Sequence, residues 1–148
     1  MAYFEWGPDL EIDHGQIDAD HRQLVGLVNE LHTATSQGQG QAVVAGVMVR
    51  LITYTQQHFS REEQLMESSA FPALMGHCKK HKQIIAELMA LAEKQEAGSI
   101  TVASQLSSLM RDWLSLHIRR SDRELVAFLK TKKLASQGPR PVRKVPLR

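Results

Sequence analysis

Five histidines and two carboxylates stand where they could share metal. His58 and Glu62 are four residues apart, as are His77 and His81. On an α-helix that spacing puts both side chains of a pair on one face, about 40° apart. His21, His117 and Asp122 join the set once the segments carrying them are read. Imidazoles and carboxylates with no thiolate needed suit iron, manganese, copper or zinc. Seven ligands are too many for one ion and suit two if the carboxylates bridge. One bridging oxo or hydroxo group would then leave a single position open on two octahedral ions, where a small ligand could bind. A structural site is more often closed, by analogy with zinc.

The elements that must position these groups are helices. His21, Leu24, Val28 and Leu31 recur at helical spacing behind Asp18, a candidate N-cap, so His21 points inward with the apolar stripe. A second helix is expected from about Gln41 to Glu67, with Val44, Val47 or Met48, Leu51, Thr55, His58, Glu62 and Met66 inward. Phe71-Pro72 breaks the chain. A third helix over about 73–96 carries His77, His81, Ile84, Leu88 and Leu91 on one face, and Gly98 ends it. A fourth, which Thr101 can cap, shows Leu106, Met110, Trp113 and His117, and Leu125, Phe128 and Leu129 extend helical structure to about Lys133. Residues 1–17 lack helical periodicity and read as an extended arm laying Tyr3, Phe4 and Trp6 on the domain.

Four helices with short loops and no competing strand pattern predict an all-α, antiparallel up-down-up-down four-helix bundle with an N-terminal extended arm. Depth tests that topology. His21 lies near the start of its helix, His58 and Glu62 near the end of theirs, His77 and His81 near a start, and His117 and Asp122 near an end. In an up-down-up-down bundle all of them meet at one end. Burying a polar side chain without a partner costs about 1–3 kcal/mol, so polar groups contributed inward by every helix need metal to satisfy them. One spacing is awkward: His117 to Asp122 is five residues, about 140° around a regular α-helix. Both can face one site only if the helix is irregular between them, and a π-bulge is the expected form.

The 148 residues, 43% of them hydrophobic, suit one folded domain rather than a disordered chain. No apolar run is long enough for a membrane span, and the N-terminus lacks a signal-peptide pattern. The single cysteine, Cys78, can form no internal disulfide, and a cytoplasmic location is expected. Net charge is +2, yet residues 136–148 hold Arg140, Arg143, Lys144 and Arg148 and no acid, so residues 1–135 are net −2. The domain is therefore expected over 1–135, followed by a basic, proline-containing mobile tail over 136–148. The basic pI comes from the tail and is poor evidence for a nucleic-acid-binding body, so no nucleic-acid partner is expected.

The pieces I-D-A-D-H around His21, H-F-S-R-E-E around His58, H-C-K-K-H over His77–His81 and W-L-S-L-H-I-R-R-S-D from Trp113 to Asp122, with Trp6 in the arm, resemble the hemerythrin family, in particular its stand-alone bacterial members. The likeness covers about residues 3–130, and all seven ligand positions of the family pattern are filled. It implies a non-haem di-iron site, oxo- or hydroxo-bridged, that binds O2 reversibly. By that resemblance His77, His81 and His117 would hold one iron, His21 and His58 the other, and Glu62 and Asp122 would bridge. O2 would bind end-on at the iron held by His21 and His58. Phe59, Trp113, Leu114 and Ile118 are candidates for a dry O2 pocket, and the resemblance places Leu114 and Ile118 near the O2 site. The role implied is oxygen carriage, storage or delivery by a monomer that is not an enzyme, with O2 and an oxygen-using enzyme or signalling protein as partners. The rivals are O2, redox or nitric-oxide sensing through a partner, metal storage, and a di-iron enzyme that consumes peroxide or nitric oxide.

Other residues are expected to be structural. His14 and His32 read as surface or packing residues, Cys78 as helix packing, and Glu63 as a solvated neighbour of Glu62.

Overall fold

The computed structural model describes residues 2–99 and 101–136. Its elements are a single 3-10 turn at Pro8–Leu10, then α1 (Gln16–Ser36), α2 (Gln41–Ser68), α3 (Leu74–Glu96), α4 (Val102–His117), a π-helical turn (Ile118–Asp122) and α5 (Arg123–Ser136). The last three run on as one long helix, giving an all-α, antiparallel four-helix bundle. Neighbours pack in a ring: α1 against α2 and α4, and α3 against α2 and α4. The expected basic tail over 136–148 lies outside the described residues from 137 onward. No helix among the described residues is long and apolar enough to cross a membrane.

The inward stripes form the core. Leu24, Val28, Leu31, Leu51, Met66, Ile84, Leu88, Leu106, Met110 and Leu114 are fully buried. The arm covers one edge with Phe4, Leu10 and Ile12 buried, while Tyr3 and Trp6 pack against the core half-buried. Asn29 fastens the arm through both ends of its side-chain amide, accepting from the Phe4 N–H (2.7 Å) and donating to the Phe4 carbonyl (2.9 Å).

Helix ends explain the loop positions. Three helices finish in a residue of positive φ: Gly38 (66°), Ala70 (57°) and Gly98 (99°). Each is followed by the six-to-one backbone bond of a Schellman cap, Gln39 N to Ala34 O, Phe71 N to Met66 O and Ser99 N to Lys94 O. The break at Phe71-Pro72 thus begins one residue earlier, at an alanine in a conformation that favours glycine.

Two capping expectations are corrected. Asp18 is not the N-cap of α1, because the helix starts at Gln16 with Gly15 before it. Gly15 is the N-cap, and the Asp13 carboxylate before it accepts from the N–H groups of Gly15, Ile17 and Asp18. Asp18, now inside the first turn and 1% exposed, reaches back to the N–H groups of Ile12 (3.0 Å) and His14 (2.8 Å) and ties the arm to the helix. Thr101 does precede α4, but its side chain makes no cap bond.

Candidate metal centre

The fourth helix shows how local structure serves the site. Ile118–Asp122 form a π-helical turn, the irregularity that the five-residue spacing predicts. The wider turn brings Asp122 back beneath His117, and His117 Nε2 lies 3.2 Å from Asp122 Oδ1. Both side chains are buried.

The structure brings all seven predicted side chains together at one end of the bundle. His21 Nε2 lies 3.0 Å from Asp122 Oδ2, and His77 Nε2 lies 3.5 Å from Asp122 Oδ1. On the other side Glu62 Oε2 is 3.3 Å from His58 Nε2, and Glu62 Oε1 is 3.2 Å from His81 Nε2. The Nε2 atoms of His81 and His117 face each other at 3.2 Å. Two groups of donor atoms result, each within 4.8 Å: His21, His58, Glu62 and Asp122, and Glu62, His77, His117 and Asp122. They share both carboxylates, and His81 adjoins the second.

These atoms are close without being satisfied. His21 Nε2, His58 Nε2, His77 Nε2 and both oxygens of Glu62 and Asp122 are buried with no hydrogen-bond partner. So many orphaned acceptors and ring nitrogens in one buried cluster would be costly in a protein-only core. They converge on shared space, as ligands to cations do. Nitrogen and oxygen donors without sulfur fit first-row metals. Cys78, half-buried and outside both groups, adds none.

The electrostatics of the metal-free chain agree. Burial alone would push the Asp122 carboxyl up, but the surrounding His117, His21 and His77 rings hold it well below the ordinary carboxylate range. Burial pushes the His58 ring down, yet Asp20, Glu62 and Asp122 outweigh it and raise the ring to about 9. A metal ion bound there would compete with those protons.

The four pocket candidates occupy different places. Phe59 stacks on His81 (centroids 3.8 Å apart, planes within 2°) and meets Trp113 edge-on. Trp113, half-buried, stacks on His117 at 4.3 Å. Leu114 and Ile118 are fully buried on the same helix. Phe59 and Trp113 therefore wall the rings of His81 and His117, and Phe59 also meets the His58 ring at 5.9 Å.

Sequence reasoning passed over two residues. Glu63, expected to be solvated, is corrected: its Oε2 accepts from His81 Nδ1 at 2.8 Å, with the side chain 34% exposed. Asp20, quoted only within its motif, accepts from His58 Nδ1 at 2.9 Å and is 2% exposed. The available signal was that a ring binding metal through one nitrogen needs an acceptor for the other. Which acid supplies it depends on how helices face one another, since the paired residues are 38 and 18 apart in sequence. His14 is exposed, and His32 is half-buried under the Tyr3 ring at 3.8 Å, both as expected.

Residues 14–129 match the family model for the hemerythrin HHE cation binding domain. A bacteriohemerythrin of Pseudomonas aeruginosa is 35% identical over 82% of this chain and 78% of its own. Myohemerythrin-1 of Phascolopsis gouldii is 27% identical over 80% of this chain and 88% of its own. A solved structure of a hemerythrin point mutant superposes with a TM-score of 0.79 at 25% identity, covering 87% of this chain and 98% of that one.

Proposed function

The chain belongs to the hemerythrin family, and on that premise we propose that it binds O2 reversibly at a di-iron centre, for oxygen carriage, storage or delivery. The observation that carries this reading is the pair of buried ligand groups sharing Glu62 and Asp122. In it His77, His81 and His117 would hold one iron and His21 and His58 the other, with Glu62 and Asp122 available to both. Bound there, an iron pair supplies two electrons and one open coordination position.

The protein's part is to hold and to exclude. Its ligands come from every helix of the bundle, so the spacing of the two metal positions is set by core packing rather than by a loop. Glu62 and Asp122 place negative charge between the positions, where two cations would otherwise repel. Phe59, Trp113, Leu114 and Ile118 keep water, and with it protons, from the bound gas, protecting reversibility.

The test is optical. The iron-loaded protein is reduced without air, exposed to O2 and then purged. A visible charge-transfer band that appears and disappears over repeated cycles is the expected result. Irreversible oxidation in the first cycle, or sustained consumption of peroxide or nitric oxide, refutes carriage. Iron content completes the check: two ions per chain are expected in the parent and fewer in His58→Ala.

A further inference from the structure

Asp20 precedes a candidate ligand in sequence, but its side chain points at the far side of the His58 ring. Five donors reach it. His58 Nδ1 (2.9 Å) and Arg61 Nε (3.0 Å) donate to Oδ2. Arg61 Nη2 (2.9 Å), the amide of Gln16 (2.9 Å) and the hydroxyl of Tyr54 (3.0 Å) donate to Oδ1. A carboxylate offers about four lone-pair directions, so Asp20 is saturated. The Arg61 guanidinium grips both oxygens in a planar fork, which lets the acid stay charged in a buried place.

The geometry dictates the state of the His58 ring. An ionised carboxylate can only accept, so His58 Nδ1 carries a proton and Nε2 is the nitrogen left to coordinate. His58 Nε2 is buried, lacks a hydrogen-bond partner and faces the cluster 3.3 Å from Glu62. Other rings are held less firmly. His81 Nδ1 has one acceptor, Glu63, which is 34% exposed, whereas Asp20 is 3% exposed at its side chain. His21 Nδ1 is buried with no partner.

We infer that Asp20, gripped by Arg61 and Tyr54, is the positioning residue that fixes the orientation and coordinating nitrogen of His58 and sets the electron richness of the metal that His58 binds. The inference rests on the di-iron reading for the identity of that metal. An anionic acceptor behind a coordinating imidazole makes the ring a stronger donor and favours the more highly charged metal. Asp20 and Arg61 should therefore act on redox balance with opposite signs, since one supplies negative charge to the ring and the other withdraws it.

The test loads iron into the parent protein, Asp20→Asn, Arg61→Gln and Tyr54→Phe. Chelator competition measures affinity, and spectroelectrochemistry measures the midpoint potential. D20N is expected to bind iron about 10–100-fold more weakly and to raise the potential. R61Q and Y54F are expected to lower it, Y54F by less because no charge is lost. Y54F also serves if the charge variants fold poorly. Weakened binding with no shift, or with shifts of one sign in all three variants, marks a merely structural role and overturns the inference. If the parent takes up two irons but never binds O2 reversibly while the opposite shifts appear, the oxygen reading fails and this one stands. If O2 binding is reversible and the shifts are absent, this inference alone fails.

Discussion

At one end of the bundle the inward stripe of α2 runs Val44, Val47, Met48 and Leu51; at the other it runs Thr55, His58, Glu62 and Met66. Both halves are buried on the same helix at the same periodicity. The apolar half is complete when water leaves it, because burial is itself the stabilising event. The polar half is incomplete after burial, since His58 Nε2 and both Glu62 oxygens have lost water and gained no hydrogen-bond partner. One end can therefore fold on its own account, whereas the other needs a ligand to reach its lowest free energy.

That contrast can be broken from either side. Asp122→Asn has the largest expected effect. It removes the charge from a carboxylate touched by His21, His77 and His117, so both metal positions should be lost together while the helical circular dichroism remains. Metal analysis showing one ion retained would mean that Asp122 serves a single position. Next in size is removal of metal from the parent protein. Binding to the folded state alone contributes about 4 kcal/mol at a free metal concentration a thousandfold above Kd, so chelation should lower Tm strongly. Hydrogen exchange should rise around His58, His77 and His117 and stay slow around Leu51 and Leu106. Uniform loosening would show that the two ends are not energetically distinct.

Leu106→Ala probes the opposite end. Leu106 is fully buried, and truncation should cost about 2–5 kcal/mol by cavity formation, read from denaturant unfolding, with the metal-to-protein ratio unchanged. Loss of metal in that variant would tie the site to packing many residues away. The smallest effect is expected for Glu63→Gln. Its bond to His81 is half open to solvent, so stability should fall by no more than about 1 kcal/mol. A loss of metal as severe as in D20N would erase the distinction drawn between the two acids that hold histidines.

Much of the fold and the candidate site was legible from spacing. The stripes of α1 to α4 follow from the 3.6-residue period, and the common depth of His21, His58, His77 and His117 follows from alternating helix direction. The π-turn was legible because a five-residue spacing cannot put His117 and Asp122 on one face of a regular helix. The cap of α1 was misread because Asp13 and Asp18 are both suitable acids, and only the true start of the helix at Gln16 separates their roles. Glu63 was misread because it faces a different direction from Glu62 on α2, while its partner His81 belongs to α3.

The sequence by itself therefore determined which side chains point inward and at which end they gather, because those properties depend on periodicity within one helix and on the order of helices. Only the tertiary structure decided which acid lies behind each histidine and which oxygen each ring faces. Those contacts cross between helices, and a modest rotation of one helix about its axis moves a side-chain tip by more than the length tolerance of a hydrogen bond. Asp20 and Glu63 are both acids near a ligand in the chain, yet packing saturates one inside the protein and leaves the other at its surface.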